Sequence, residues 1–223
     1  MPCMRSWRRP LKADRRCGSP LLRPPADESL FLARRGRDRR RFFLVIQPGL
    51  GVDNVNGYGA KNMAESWRTV RKNTMQIADE IPADQYGFRA APDTRSVGEM
   101  LAHIALASHW ATQLHFVDGK HEVQNEDFMR YMGDAAGIAA TLTSKEAILD
   151  ALATRGAAFA ELLEGATEAQ LDELVTFPGG GKTRFEMLLG VKEHEMHHRA
   201  QLMLIERMIG IVPHLTRARQ QRT

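Results

Sequence analysis

Cysteine is almost missing from this chain of 223 residues: Cys3 and Cys17 are the only two. Past residue 17, neither a disulfide framework nor a thiolate metal site can be built. Long apolar runs are missing too. None approaches the roughly 20 residues of a membrane-spanning helix, so the expectation is a soluble, cytoplasmic protein with no membrane partner. Alternating strand patterns are also absent, which excludes sandwiches and barrels and leaves an all-helical architecture.

Charge is present but unevenly spread. Residues 1–62 hold fourteen Lys or Arg, twelve of them Arg, against five Asp or Glu; residues 63–223 hold seventeen basic and twenty-two acidic side chains. The basic balance therefore belongs to the N-terminal stretch, and the mildly acidic remainder argues against nucleic-acid binding by the folded part. Within 1–62, Arg8-Arg9-Pro10, Arg23-Pro24-Pro25 and the run from Arg34 to Arg41 follow no period of 3.6 or 2. Such a segment cannot bury a core and is expected to be a disordered tail. Its one apolar run, Phe42-Phe43-Leu44-Val45-Ile46, follows Arg40-Arg41 as in a twin-arginine export signal, but five residues fall short of the roughly 7–15 of a signal core. The alternatives for the tail are an arm that binds nucleic acid or acidic membrane, and a start annotated upstream of the true one at Met63, where the composition changes.

From Met63 the apolar positions recur at helical spacing. Trp67, Val70, Met75, Ile77, Ala78 and Ile81 form one stripe, and Pro82 ends that helix. Ser96 and Glu99 have the spacing of a capping box, opening a helix of roughly twenty residues whose inner face carries Met100, His103, Ala107, Trp110, Leu114 and Val117. On that wheel His109 and His115 lie more than about 90° from His103 and face solvent, as does His121 in the loop beyond. Residues 118–143 read as a long connection with room for a short helix, of the kind that often serves as a lid or crossover. Thr143-Ser144-Lys145-Glu146 opens a third helix closed by Gly165, and 167–174 suits a short one. The glycines at 179–181 form a turn; they lack the first glycine and the strand of a phosphate loop. Thr183 and Glu186 cap a fourth long helix that runs to about Ile209. Four such helices read as a four-helix bundle.

The fourth helix carries His194-Glu195-Met196-His197-His198-Arg199-Ala200-Gln201. His194 and His198 lie four residues apart, about 40° off the same azimuth and one turn along, so both rings can reach one ion. His197 points elsewhere. The pair falls on the stripe of Met187, Leu188, Val191, Leu202, Ile205 and Ile209, so it faces inward, where an unpartnered polar group costs on the order of 1–3 kcal/mol. Metal ligation relieves that cost. So does the plainer arrangement of one hydrogen-bonded core histidine and one at the edge of the stripe. His103, inward on its own helix, is the candidate third ligand. Glu195, Gln201 and Glu99 are candidates to orient the imidazoles. Arg199 suits either an anionic substrate or a surface or dimer ion pair. Trp110 and Tyr131 suit either a pocket wall or the core.

The segment Arg95-Ser96-Val97-Gly98-Glu99-Met100-Leu101-Ala102-His103, with the histidine-rich stretch 194–201 some ninety residues later, resembles the DinB family, also called DinB/YfiT-like metalloenzymes. The resemblance covers residues 64–210. It implies an up-down-down-up four-helix bundle, commonly a homodimer, that binds a divalent metal through His103, His194 and His198. Ala200 stands where that family often has glycine. Three histidines leave an ion with open positions, as in catalytic sites, and accept zinc, nickel or iron. Members similar to this family use the metal to activate a small-molecule thiol, which implies a thiol-dependent S-transferase or a hydrolase with a low-molecular-weight thiol or water as nucleophile. The rival is a non-catalytic, stress-associated binding or dimerisation bundle with a structural ion or none.

Overall fold

The computed structural model describes residues 57–221. The arginine runs and the apolar run at 42–46 lie outside them. Helix α1 (Ala60–Glu80) begins three residues ahead of Met63, and both Ala60 and Met63 are buried. Ile81 leaves the helical region, and Pro82, which has no N–H to donate, opens a 3₁₀ turn at Ala83–Gln85. Helix α2 (Val97–Leu106) starts at the expected capping box: Ser96 N–H donates to Glu99 Oε2 at 2.8 Å, and Glu99 N–H donates to Ser96 Oγ at 3.2 Å.

The expected twenty-residue second helix is broken. After α2 comes the single turn α3 (His109–Ala111), which widens into a π-helical stretch, Thr112–Val117. A π turn takes in an extra residue and rotates everything after it relative to a 3.6-residue wheel. Two expectations fail for that reason. His115, expected in solvent, is only 7% exposed, and Val117, expected inside, is 63% exposed.

Where a long connection was expected, helix α4 (Asn125–Ala139) runs for 15 residues. Gly133 and Gly137 weaken its sequence pattern, yet both sit with open space around them. Helix α5 (Lys145–Gly165) starts as expected, with Ser144 Oγ accepting from Ala147 N–H. The short helix α6 (Glu168–Asp172) follows. The glycine-rich turn proves to be a hairpin, with β1 (Leu174–Phe177) and β2 (Gly180–Thr183) antiparallel and Leu174 opposite Thr183; Gly179 turns it at φ +96°. Helix α7 (Arg184–Met208) carries the histidine stretch and is capped by Thr183 and Glu186 as expected. A last helix, α8 (His214–Gln220), was not expected.

Helices α1, α2, α5 and α7 share the core, their stripes meeting in two apolar clusters, one around Ile77, Leu101, Leu152 and Leu202 and one around Trp67, Phe159 and Val191. Arg71 on α1 ties all four together. Its guanidinium donates to the Leu152 carbonyl of α5 at 2.9 Å, the Ile104 carbonyl of α2 at 3.3 Å and the Glu195 carboxylate of α7 at 2.8 Å. Gly156 makes room for it: a Cβ there would sit 2.8 Å from Arg71 Cγ. Among the described residues no helix is long and apolar enough to cross a membrane.

Candidate functional site

The inward stripe of α7 is as expected, with Leu188, Val191, His198, Leu202 and Ile205 all buried. His194 and His198 lie one above the other on that helix, and His103 meets them from α2, with ring centroids 5.0 Å from His194 and 4.9 Å from His198. The three Nε2 atoms point at each other. His194 Nε2 lies 3.2 Å from His103 Nε2 and 3.2 Å from His198 Nε2, and one nitrogen from each ring falls within 4.8 Å of the others. Two nitrogens each about 2.0–2.1 Å from a tetrahedral ion would stand about 3.3 Å apart. The separations match that spacing.

Ring protons alone satisfy the cluster poorly. His198 Nδ1 donates to Gln201 Oε1 at 2.8 Å, so its Nε2 is a bare acceptor. His194 Nε2 then has at most one proton to share between two neighbours, and no assignment turns both contacts into full hydrogen bonds. A cation facing three lone pairs does satisfy them. All three imidazoles are held neutral, the form that binds metal. Burial pushes His103 down to about 4, with the Arg95 charge and the other two rings adding to it. Burial likewise takes His194 to about 4, with His198, His197 and Arg95 behind it. His198 is lowered by burial against the opposing Gln201 hydrogen bond.

Of the three candidates for orienting the rings, only Gln201 does so. Its amide also donates from Nε2 to His197 Nε2 at 3.2 Å, which fixes its orientation and gives the exposed His197 a purpose. Glu195, next to His194 in sequence, turns away and is fully buried against Arg71. Glu99 is spent on the Ser96 cap and on Arg89, whose Nη2 donates to it at 2.6 Å. Arg199, half-buried, forms no ion pair among the described residues; burial lowers its pKa, against the opposing Glu195 charge.

His103 and His194 stand in the wall of a cavity of ≈ 810 Å³ enclosed by α2, α4, the hairpin and α7. Sequence reasoning missed its far wall because it missed α4. Trp110 lines the cavity, whereas Tyr131 is wholly buried elsewhere and donates its hydroxyl to Asp118 at 2.5 Å. His115 belongs to a different cluster, its Nδ1 accepting from Arg184 at 3.1 Å. His109 and the exposed His121 take no part in the cavity.

Comparisons with known proteins bear on the fold and the family. A DinB-like protein of Bacillus cereus is 21% identical, the match covering 69% of this chain and 94% of that one with a TM-score of 0.53, which shows a common fold. A DinB-like protein of Bacillus subtilis is 23% identical over 67% of this chain and 92% of its own, with a TM-score of 0.44. No curated protein matches the sequence. The family model of the DinB superfamily matches residues 66–202, well over half of the chain, and the protein belongs to that superfamily.

Proposed function

We propose that His103, His194 and His198 hold a divalent metal ion through their Nε2 atoms, and that the adjoining cavity receives the substrate of a metal-dependent transfer or hydrolysis. The observation that carries this reading is the convergence of three neutral imidazole nitrogens at metal-ligand spacing. When bound, such an ion acts as a Lewis acid that lowers the pKa of a water or small-molecule thiol reaching it. The described residues hold no cysteine, which fits a thiol brought by a cosubstrate.

The protein's own residues supply the rest. Gln201 fixes the tautomer of His198 so that its Nε2 lone pair faces the centre. Burial and the Arg95 charge keep protons off the rings. The cavity beside the rings is walled largely by apolar side chains, a low-dielectric setting that strengthens electrostatic interactions there. A cavity of this size beside the histidines favours catalysis over a structural ion, since structural sites are closed.

Elemental analysis of the freshly isolated protein tests the first half: about one zinc, nickel or iron per chain is expected in wild type and little in His198→Ala. A substoichiometric metal content, with no binding of added zinc or nickel, would refute the site. Turnover of electrophiles in the presence of a thiol, compared between wild type and His198→Ala, tests the second half.

A further inference from the structure

We propose that the cavity takes a small amphipathic anion, an apolar acyl or aryl body bearing one carboxylate-like group, and that Arg95 holds the charge. The inference rests on the reading of the histidine cluster as the reaction centre and names the class of substrate that centre serves.

The walls set the body of the ligand. Leu106 and Trp110 on one side and Phe128 and Met132 on the other are apolar, while Ala136 and Ala139 of α4 leave room between them. No charged side chain comes from α4. Such a surface gains by taking up hydrocarbon and has little to offer a polar one.

The charges set the head group. Four charged side chains line the cavity: Arg95, Lys182, Glu99 and Glu186. Both carboxylates are committed. Glu99 accepts from Ser96 N–H and Arg89, and Glu186 accepts from Thr183 N–H at 2.9 Å and its hydroxyl at 3.1 Å. The cations are not: neither the Arg95 nor the Lys182 side chain makes a hydrogen bond or ion pair among the described residues. Glu186 is held low chiefly by its hydrogen bonds from Thr183 and, after them, by the nearby Lys182 charge, so part of the Lys182 charge is matched. Arg95 has no such neighbour. It stands in the wall of the same cavity as His103 and His194. A free guanidinium sharing the wall of a largely apolar cavity with His103 and His194 is complementary to an anionic head on an apolar body.

The test uses metal-depleted protein, so that no anion can bind through an ion, with octanoate, 1-octanol and octylammonium as probes. Quenching of Trp110 in the cavity wall and calorimetry give the affinities. Octanoate is expected to bind on the order of tenfold more tightly than octanol, and octylammonium more weakly than either. Arg95→Ala should abolish the preference for octanoate and leave octanol affinity unchanged, with Arg95→Lys keeping part of the preference. Because Arg95 is exposed and unpaired, its loss should leave the melting temperature in place. Ala139→Trp, which fills the cavity, should weaken all three probes. Equal affinity for octanoate and octanol, a preference that survives in Arg95→Ala, or undiminished binding in Ala139→Trp would each overturn the proposal. Binding of metal is measured separately: a protein that prefers octanoate but takes up no metal refutes only the metal site, and one that binds metal without the preference refutes only the anion site.

Discussion

Adjacent residues on α7 face two buried polar environments that end very differently. Glu195 is saturated: Arg71 Nε lies 3.1 Å from each of its oxygens and Arg71 Nη2 lies 2.8 Å from Oε2. His194 and His198, one residue before and three after, have Nε2 atoms that meet mainly other nitrogens. A buried polar group is costly unless partnered, so the satisfied pair explains itself as architecture, while the Nε2 atoms of the half-buried histidine cluster have no comparable partner among the described residues. The contrast separates the pair that ties the four helices together from the cluster proposed above as a metal site.

The sharpest way to break the comparison is to remove one half of the ion pair. Glu195→Ala leaves the Arg71 guanidinium uncompensated among four helices, and the expected loss is about 3–5 kcal/mol. Denaturant unfolding checks it. Replacing both partners, as Arg71→Met with Glu195→Leu, should recover most of that loss, because well-packed apolar residues often match a buried pair. If the single variant costs under about 1 kcal/mol, the pair is not the architectural tie described here.

The second prediction acts on the other side of the contrast. His198→Ala should change the unfolding free energy of metal-free protein little, yet remove the stabilisation that added metal gives to wild type. That stabilisation is about 2.7 kcal/mol at a free-metal concentration 100 times Kd. Thermal melts of both proteins with and without zinc or nickel give the answer, and equal metal-induced shifts would mean that His198 is not a ligand.

How far the sequence discloses this division depends on the length scale of the interaction. The stripes and caps that build α1, α5 and α7 are local, and all three were legible. So was the meeting of His103, His194 and His198, since an i, i+4 pair and one inward histidine on another apolar stripe can converge whatever the loops do. The DinB resemblance pointed to the same three residues. Arg71–Glu195 was not legible: its members lie 124 positions apart, and Glu195 looks like an ordinary solvated glutamate beside the histidines. The π turn at Thr112–Val117 is a change of backbone hydrogen-bond register with no clear mark in composition, which is why His115 and Val117 were placed on the wrong sides. Helix α4 was obscured by two glycines, and with it went the far wall of the cavity.

A smaller change should sharpen the comparison at its border. Gln201 belongs to neither half: it is not a ligand, but it determines which nitrogen of His198 is free. Gln201→Leu keeps the approximate volume and removes the acceptor, so metal affinity should fall about 10–100-fold. Metal-free stability should move little. Competition with a chelator measures the affinity. Glu99→Gln is the control, because Glu99 was also a candidate in the sequence, a weaker one, and the structure places it on a helix cap; its metal affinity should be unchanged.

The smallest effect comes from a second carboxylate on the same helix. Glu206 lies 11 residues beyond Glu195, three turns along the same buried face, and no arginine meets it: both its oxygens are buried without a hydrogen bond among the described residues. Burial, with the nearby Glu80 charge adding to it, raises its pKa from 4.5 to about 7, against weaker opposition from Arg217 and Arg207. The folded protein therefore keeps the proton over a range in which the unfolded chain has released it. The resulting stability is fully present below pH 4.5 and is lost as pH rises to about 7. In Glu206→Gln no charge has to be buried at any pH, so the variant should be more stable than wild type at pH 8, on the order of 1 kcal/mol once water reaching the site is allowed for. The difference should shrink toward pH 4.5. Urea midpoints at pH 4.5, 6 and 8 decide the matter: parallel profiles for the two proteins would mean that Glu206 is ionised in the fold and that some partner does for it what Arg71 does for Glu195.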